Sequence, residues 1–183
     1  TNIIGTVNLL ECLRKVRSVK SVVNVTTDKC YQNIGSKIEF SEDHPLGGND
    51  PYSSSKGCAE LVISAYRRSF FNTLNTASVA SARAGNVIGG GDWAEDRLIP
   101  DIIRAFESNK EVIIRNPLST RPWQHVLEPI NGYLYLAMKL YKNPKKYSGP
   151  WNFGTELNTV TDVKEVIRRI IECWGRGTSV SYT

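Results

Sequence analysis

Apolar residues along the chain follow two alternating rhythms. Ile3, Ile4, Val7, Leu10, Leu13 and Val16 fall three or four apart. That spacing lines one side of a 3.6-residue turn and predicts an amphipathic helix over 2–17. From Ser21 to Thr27 the order is Ser-Val-Val-Asn-Val-Thr-Thr, a short β-branched run that reads as a buried parallel strand. Helical spacing returns over 51–71 with Ala59, Leu61, Val62, Ala65, Tyr66 and Phe70. Asp50 suits the N-cap of that helix, and Pro51 its first position, where a missing N–H is no loss. Small apolar residues from Asn75 to Ala84 predict a further strand. Beyond it the pattern gives helices over 99–107, 129–141 and 163–173, with strands at 111–115 and 151–154 and another opening at Val180. Strands alternating with helices predict an α/β chain, a parallel sheet with crossover helices. The shorter, mixed segments after Asn86 predict a smaller lobe.

Between these elements, residues 32–49 are polar and contain Gly35, Pro45, Gly47 and Gly48, which predicts a loop with His44 exposed in it. Gly57 interrupts a helix interior, where glycine costs up to about 1 kcal/mol against alanine; close packing by a cofactor or a partner helix is the expectation there.

Composition changes this picture little. With 183 residues, 40% hydrophobic and 22% charged, the chain can bury one core, or one core plus a lobe. No run approaches the roughly 20 apolar residues of a membrane span, and no charged-then-apolar leader opens the sequence. Cys12, Cys30, Cys58 and Cys173 are scattered with no CxxC, as expected of reduced thiols in a cytoplasmic protein. Neither His44 nor His125 belongs to a convincing metal set, so no metal is expected. The net charge of +5 and pI near 9.0 come from scattered basic residues. No basic run interleaves with aromatics as a nucleic-acid groove would, and the charge hints at most at phosphate.

Four stretches can carry chemistry. Tyr52 and Lys56 stand four apart, on one helical face, and an ammonium near a phenol stabilises phenolate, so the pair suits proton abstraction; two solvated side chains would give the same spacing. Thr27, Asp28 and Lys29 follow a strand at its carboxyl end, where open α/β sheets place ligands, although Thr and Asp also make ordinary turns. Arg83-Ala-Gly-Asn-Val-Ile-Gly-Gly-Gly-Asp-Trp93 is glycine-rich, yet its spacing is neither GxGxxG nor a P-loop, which leaves a flexible loop. Thr120 to Pro129 concentrates Arg121, Trp123 and His125. Arg121 there is suited to a bidentate grip on a diphosphate, or equally to stacking on a buried indole.

Taken together, Thr27, Tyr52 with Lys56, and Arg83 with Asn86 resemble the extended short-chain dehydrogenase/reductase family. Its pattern is Thr or Ser at a strand end, Tyr-x-x-x-Lys on the next helix, then Arg-x-x-Asn after the following strand. The order and spacing match over nearly the whole chain. Within the family the sequence is similar to the NAD-dependent sugar-nucleotide dehydratases. The similarity rests on residues 27–31, 50–61, 83–93 and 121–129, and Lys29 favours the CDP-sugar branch, because the dTDP-sugar enzymes carry Glu there.

The resemblance implies a partial Rossmann-like dinucleotide-binding domain over 1–85 and 124–155, and a sugar-nucleotide lobe over 86–123 and 156–183. It implies NAD as cofactor, held by Tyr52, Lys56 and Arg83, and CDP-glucose as substrate, held by Asn86, Asp96, Arg97, Leu98 and Arg121. Tyr52 would take the C4 hydroxyl proton, Lys56 would support the phenolate and the nicotinamide ribose, and Thr27 would bond the C4 oxygen. Asp28 would protonate the departing C6 hydroxyl, and Lys29 would be the C5 base. A cytoplasmic homodimer formed through the helices at 2–17 and 51–71 is also implied, as is a place in deoxysugar and lipopolysaccharide biosynthesis.

One departure from the family pattern stands out. No strand–GxxGxxG–helix unit, which would seat the NAD pyrophosphate, occurs in these 183 residues. The chain is therefore expected to be the middle of a longer enzyme, poor at holding NAD and inactive alone. Two other readings stay open: a sugar-nucleotide epimerase or decarboxylase of the same family, and an inactive basic module binding RNA or a protein.

Overall fold

A computed structural model of the chain describes residues 1–33, 39–73, 76–155, 161–175 and 180–182. Gly35, Asn75 and Thr183, which enter the predicted loop and strands, lie outside the described residues. The chain divides into two compact units, one of Thr1–Gly85 with Glu128–Gly154, the other of Asn86–Leu127 with Thr155–Thr183.

The first unit is built on a three-stranded parallel sheet. Its strands are β1 (Ser21–Val25), β2 (Ser78–Ala84) and β7 (Pro150–Phe153), in the order β1-β2-β7. Val22 lies opposite Val79, and Arg83 opposite Asn152. Every residue of β2 is buried, as a central strand covered on both faces requires. Side chains alternate across the sheet, so Val22, Ala77 and Val79 meet one layer, made by α1 (Asn2–Lys15) and α2 (Pro51–Phe70) through Leu10, Ile63 and Phe71. Ala80 meets the other, made by α4 (Leu127–Lys142) through Leu136 and Leu140. Each fully buried Leu or Ile in these layers contributes about 1.5–3 kcal/mol. The approach of α4 is close enough that a Cβ on Gly132 would stand 2.4 Å from the Phe153 ring.

The second unit packs α3 (Leu98–Glu107) and α6 (Val163–Trp174) around β4 (Val112–Ile114), through Ile102, Phe106, Ile114 and Ile167. β4 pairs in parallel with β9 (Val180–Tyr182). Asp162 caps α6 by accepting from Glu165 N at 2.7 Å, and Gly175 ends it at φ 73°, a left-handed turn that glycine makes without strain.

Four two-residue strands have no counterpart in the periodicity. β3 (Val87–Ile88) pairs with β6 (Gln124–His125), and β5 (Thr120–Arg121) with β8 (Thr161–Asp162). The glycine cluster expected as a flexible loop thus begins as a strand. A Cβ on Gly89 would lie 2.7 Å from Val126, so that glycine permits close packing. A single-turn helix α5 (Pro144–Tyr147) precedes β7, also unforeseen. The close packing expected at Gly57 is real, but its partner is the chain itself. A Cβ there would meet Cys30 O at 3.3 Å and Gly47 N at 3.4 Å. Among the described residues no helix is long and apolar enough to cross a membrane.

Candidate active site

At the carboxyl end of β1 the backbone stays extended through Thr27, then tightens into a 3₁₀ turn over Asp28–Cys30. Thr27 caps that turn. Its Oγ1 accepts from Lys29 N at 3.4 Å and donates to Asp28 Oδ1 at 3.1 Å. The missing side chain at Gly57 lets α2 lie against the turn. Asp50 fixes the start of α2, its Oδ1 accepting from Tyr52 N at 2.9 Å and Ser53 N at 3.0 Å, its Oδ2 from Ser53 Oγ at 2.6 Å. The bonds from Ser53, with Lys29 adding its charge, hold the Asp50 carboxyl below its usual range.

These local choices bring Tyr52, Lys56 and Lys29 together. The ammonium of Lys56 and that of Lys29 each lie 5.9 Å from the centre of the Tyr52 ring, within the range of a cation–π contact. Tyr52 is 48% exposed, and its hydroxyl makes no hydrogen bond among the described residues. Two cations beside this ring would offset negative charge placed on it. Thr27, as cap, and Asp28 directly precede Lys29 at the same turn.

Beneath this surface the sheet–helix layer changes from apolar to polar. Glu60, one turn beyond Lys56, is 2% exposed, and Arg83 is 4% exposed. Their ion pair is 2.7 Å long. Glu60 also accepts from Ser81 Oγ at 2.8 Å and from the hydroxyl of Thr26. Arg83 donates to Tyr31 OH at 2.7 Å and to Glu42 O at 3.0 Å. Tyr31 in turn donates its hydroxyl hydrogen bond to Asn152 Oδ1 at 2.6 Å. Burial alone would lower the Arg83 guanidinium; the hydrogen bond and charge of Glu60 outweigh it, and the net shift is upward. Arg83, expected at the cofactor, is thus turned inward and held by the chain's own groups. The sequence reading passed over Glu60, although a signal was present. Ser53, Gly57 and Glu60 recur at i, i+4 and i+7 on the buried side of α2, a polar stripe where apolar residues were being counted.

In the second unit a cavity of about 480 Å³ is lined by Asn86, Asp96, Leu98, Arg121 and Trp123, together with Arg115, Asn116 and Ser119. Its size suits a small ligand. Four of the five residues expected to hold substrate line it, Asp96 in a left-handed conformation at φ 60°. The fifth, Arg97, is instead paired with Asp92 at 2.8 Å. Among the described residues the buried Trp123 Nε1 has no hydrogen-bond partner. Arg115 was missed; its position just past the end of β4 was the available sign. Among the described residues no group of His, Cys, Asp and Glu could hold a metal.

Comparison with known proteins follows the same lines. The family model described as NAD dependent epimerase/dehydratase family matches residues 1–152. The chain is 55% identical over 179 residues to the CDP-glucose 4,6-dehydratase of Salmonella typhimurium, which covers 96% of this chain and 50% of that protein. It is 29% identical to human dTDP-D-glucose 4,6-dehydratase, over 93% of this chain and 46% of the relative. The chain spans about half the length of the curated relatives it matches. Among solved structures, dTDP-glucose 4,6-dehydratase from Bacillus anthracis in complex with NAD superposes with a TM-score of 0.79 at 29% identity, covering 100% of this chain and 55% of that one. A UDP-glucuronic acid 4-epimerase from Bacillus cereus gives 0.81 at 19% identity, covering 100% of this chain and 54% of that one, a likeness of fold alone.

Proposed function

Since this chain belongs to the NAD-dependent epimerase/dehydratase family, we propose that it serves the 4,6-dehydration of CDP-glucose to CDP-4-keto-6-deoxyglucose. The observation that carries the reading is the convergence of Lys29 and Lys56 on the open phenol of Tyr52, beside Thr27 and Asp28. The identity to the Salmonella enzyme supports the choice of CDP-glucose.

In this reading Tyr52 takes the proton of the sugar's C4 hydroxyl, and Lys56 offsets the charge on the phenol and holds the nicotinamide ribose. NAD, when bound, supplies the acceptor for the C4 hydride and its return to C6. The half-exposed phenol with an ammonium on the same helical face fits the nicotinamide end of that cofactor. Thr27, whose hydroxyl bonds Asp28 at 3.1 Å, turns to the C4 oxygen when substrate is present. The 4-ketone acidifies the C5 proton; Lys29, which must first give up its own ammonium proton, removes it as Asp28, in its protonated form, donates to the departing C6 hydroxyl. An epimerase has no use for the last two groups, which favours dehydration. The first unit supplies these reacting side chains. The cavity of the second takes the nucleotide diphosphate, with Arg121 on the phosphates. The protein works as a homodimer through α1 and α2, whose Ile4, Leu9 and Leu61 are exposed, and its product feeds deoxysugar synthesis for surface polysaccharide such as lipopolysaccharide. The test is turnover. The protein purified from its natural source, given NAD and CDP-glucose, yields a sugar nucleotide lighter by one water. An unchanged substrate, or a product of equal mass, refutes the reading.

A further inference from the structure

We propose that Glu60 is a positioning residue for the reacting side chains, a role that rests on the dehydratase reading above. Tyr52, Lys56 and Glu60 are spaced four apart on α2, so any rotation or slide of the helix moves all three together. Glu60 ties that helix to the sheet at three points. Its carboxylate takes the hydroxyl of Thr26, the residue just before Thr27, and it takes Ser81 Oγ at 2.8 Å and the Arg83 guanidinium at 2.7 Å from β2.

Through Arg83 the tie extends to Tyr31 OH and on to Asn152 of β7. The 28–30 turn is therefore gripped at both ends, at Thr26 before it and Tyr31 after it. The same carboxylate that fixes α2 fixes the segment carrying Thr27, Asp28 and Lys29. Apolar packing deeper in the layer, at Val22, Ile63 and Val79, lacks direction and leaves such a slide cheap. Hydrogen bonds are directional and set the register. A misplacement of about 1 Å at a reacting group costs roughly 100-fold in rate.

Two variants of the natural protein separate positioning from stability. Glu60→Leu combined with Arg83→Met removes both buried charges at similar volume, an exchange that is often neutral for stability. Glu60→Gln keeps one oxygen, which can still accept from Ser81, and turns its amide N–H toward the Thr26 hydroxyl, but leaves Arg83 without its counter-charge. Positioning predicts opposite orders. The double variant melts near the parent temperature, yet its kcat falls about 100-fold with KM for CDP-glucose within about threefold. Glu60→Gln melts lower, and its folded fraction, assayed in the cold, keeps kcat within about tenfold. If kcat instead follows the folded fraction in both, Glu60 is structural and the proposal is overturned. Hydrogen exchange of the amides over 52–60 provides a readout that needs no turnover: both readings of function aside, the double variant loses protection there while α4 keeps its own. Unchanged protection over 52–60 also overturns the proposal, whereas a parent protein that fails to turn over CDP-glucose overturns only the dehydratase reading.

Discussion

Two glycine-to-alanine changes, one just before α2 and one within it, should behave in opposite ways. At Gly48 an added Cβ would stand 2.4 Å from Ser53 Cβ and 2.6 Å from both Ser53 C and Ser54 N. Carbon contacts are comfortable at about 3.5–4.0 Å, so roughly 1 Å of movement is forced, against helix backbone in the turn that carries Tyr52. Overpacking of this kind costs about 1–3 kcal/mol, which at this chain length lowers the melting temperature by about 2–12 °C. At Gly57 the new methyl meets Cys30 O at 3.3 Å, a contact relieved by a shift of a few tenths of an ångström. Alanine there gains about 1 kcal/mol in helix propensity, so the two effects nearly cancel and Gly57→Ala stays within about 1 kcal/mol of the parent. Urea unfolding followed by circular dichroism measures both. If Gly48→Ala is as stable as the parent, or Gly57→Ala is the worse of the two, the packing described for α2 against the 28–30 turn and the 47–48 segment is wrong.

Three further outcomes follow from the same geometry. Arg121→Ala should weaken binding of CDP, read by calorimetry, by about 10–100-fold, the worth of a hydrogen bond to a charged group; unchanged affinity removes Arg121 from the diphosphate site. Leu61→Glu places a charge on a residue that is 58% exposed and should convert a dimer to monomers in sedimentation, without loss of helix content. Burial pushes the Cys30 thiol up to about 12, whereas an unfolded thiol ionises near about 8.5. The unfolded chain therefore releases this proton first as pH rises, and stability intact below about 8.5 falls above it by at most about 1.4 kcal/mol per pH unit. Cys30→Ala should flatten that alkaline decline, and native alkylation should reach the exposed Cys12, Cys58 and Cys173 while sparing Cys30.

Much of the first unit was legible because its elements are long. Fourteen residues of α1 and twenty of α2 give periodicity room to speak, and Asp50 with Pro51 marks a start by local chemistry alone. Tyr52 and Lys56 could be paired from spacing, since one helix carries both. Lys29 could be set beside them only through the resemblance, because the contact depends on how α2 packs on a turn far away in sequence. Two-residue strands such as β3 and β5 carry no period, and only their partners create them. Arg83 and Arg97 show the other limit. Arg83 lies within β2 and Arg97 just before α3; buried Glu60 pairs with one and surface Asp92 with the other, and sequence spacing predicts neither partner. Gly57 announced a close approach correctly but could not say to what.

The most direct test of the account follows a labelled hydride. CDP-glucose carrying deuterium at C4 is given, with NAD, to the protein from its natural source and to its Tyr52→Phe variant. The account predicts a product one water lighter with the deuterium at C6, and a rate about 10²–10⁴-fold lower in the variant, the usual contribution of a general base. Deuterium lost to solvent, product that keeps its water, or a Tyr52→Phe variant as fast as the parent would contradict it.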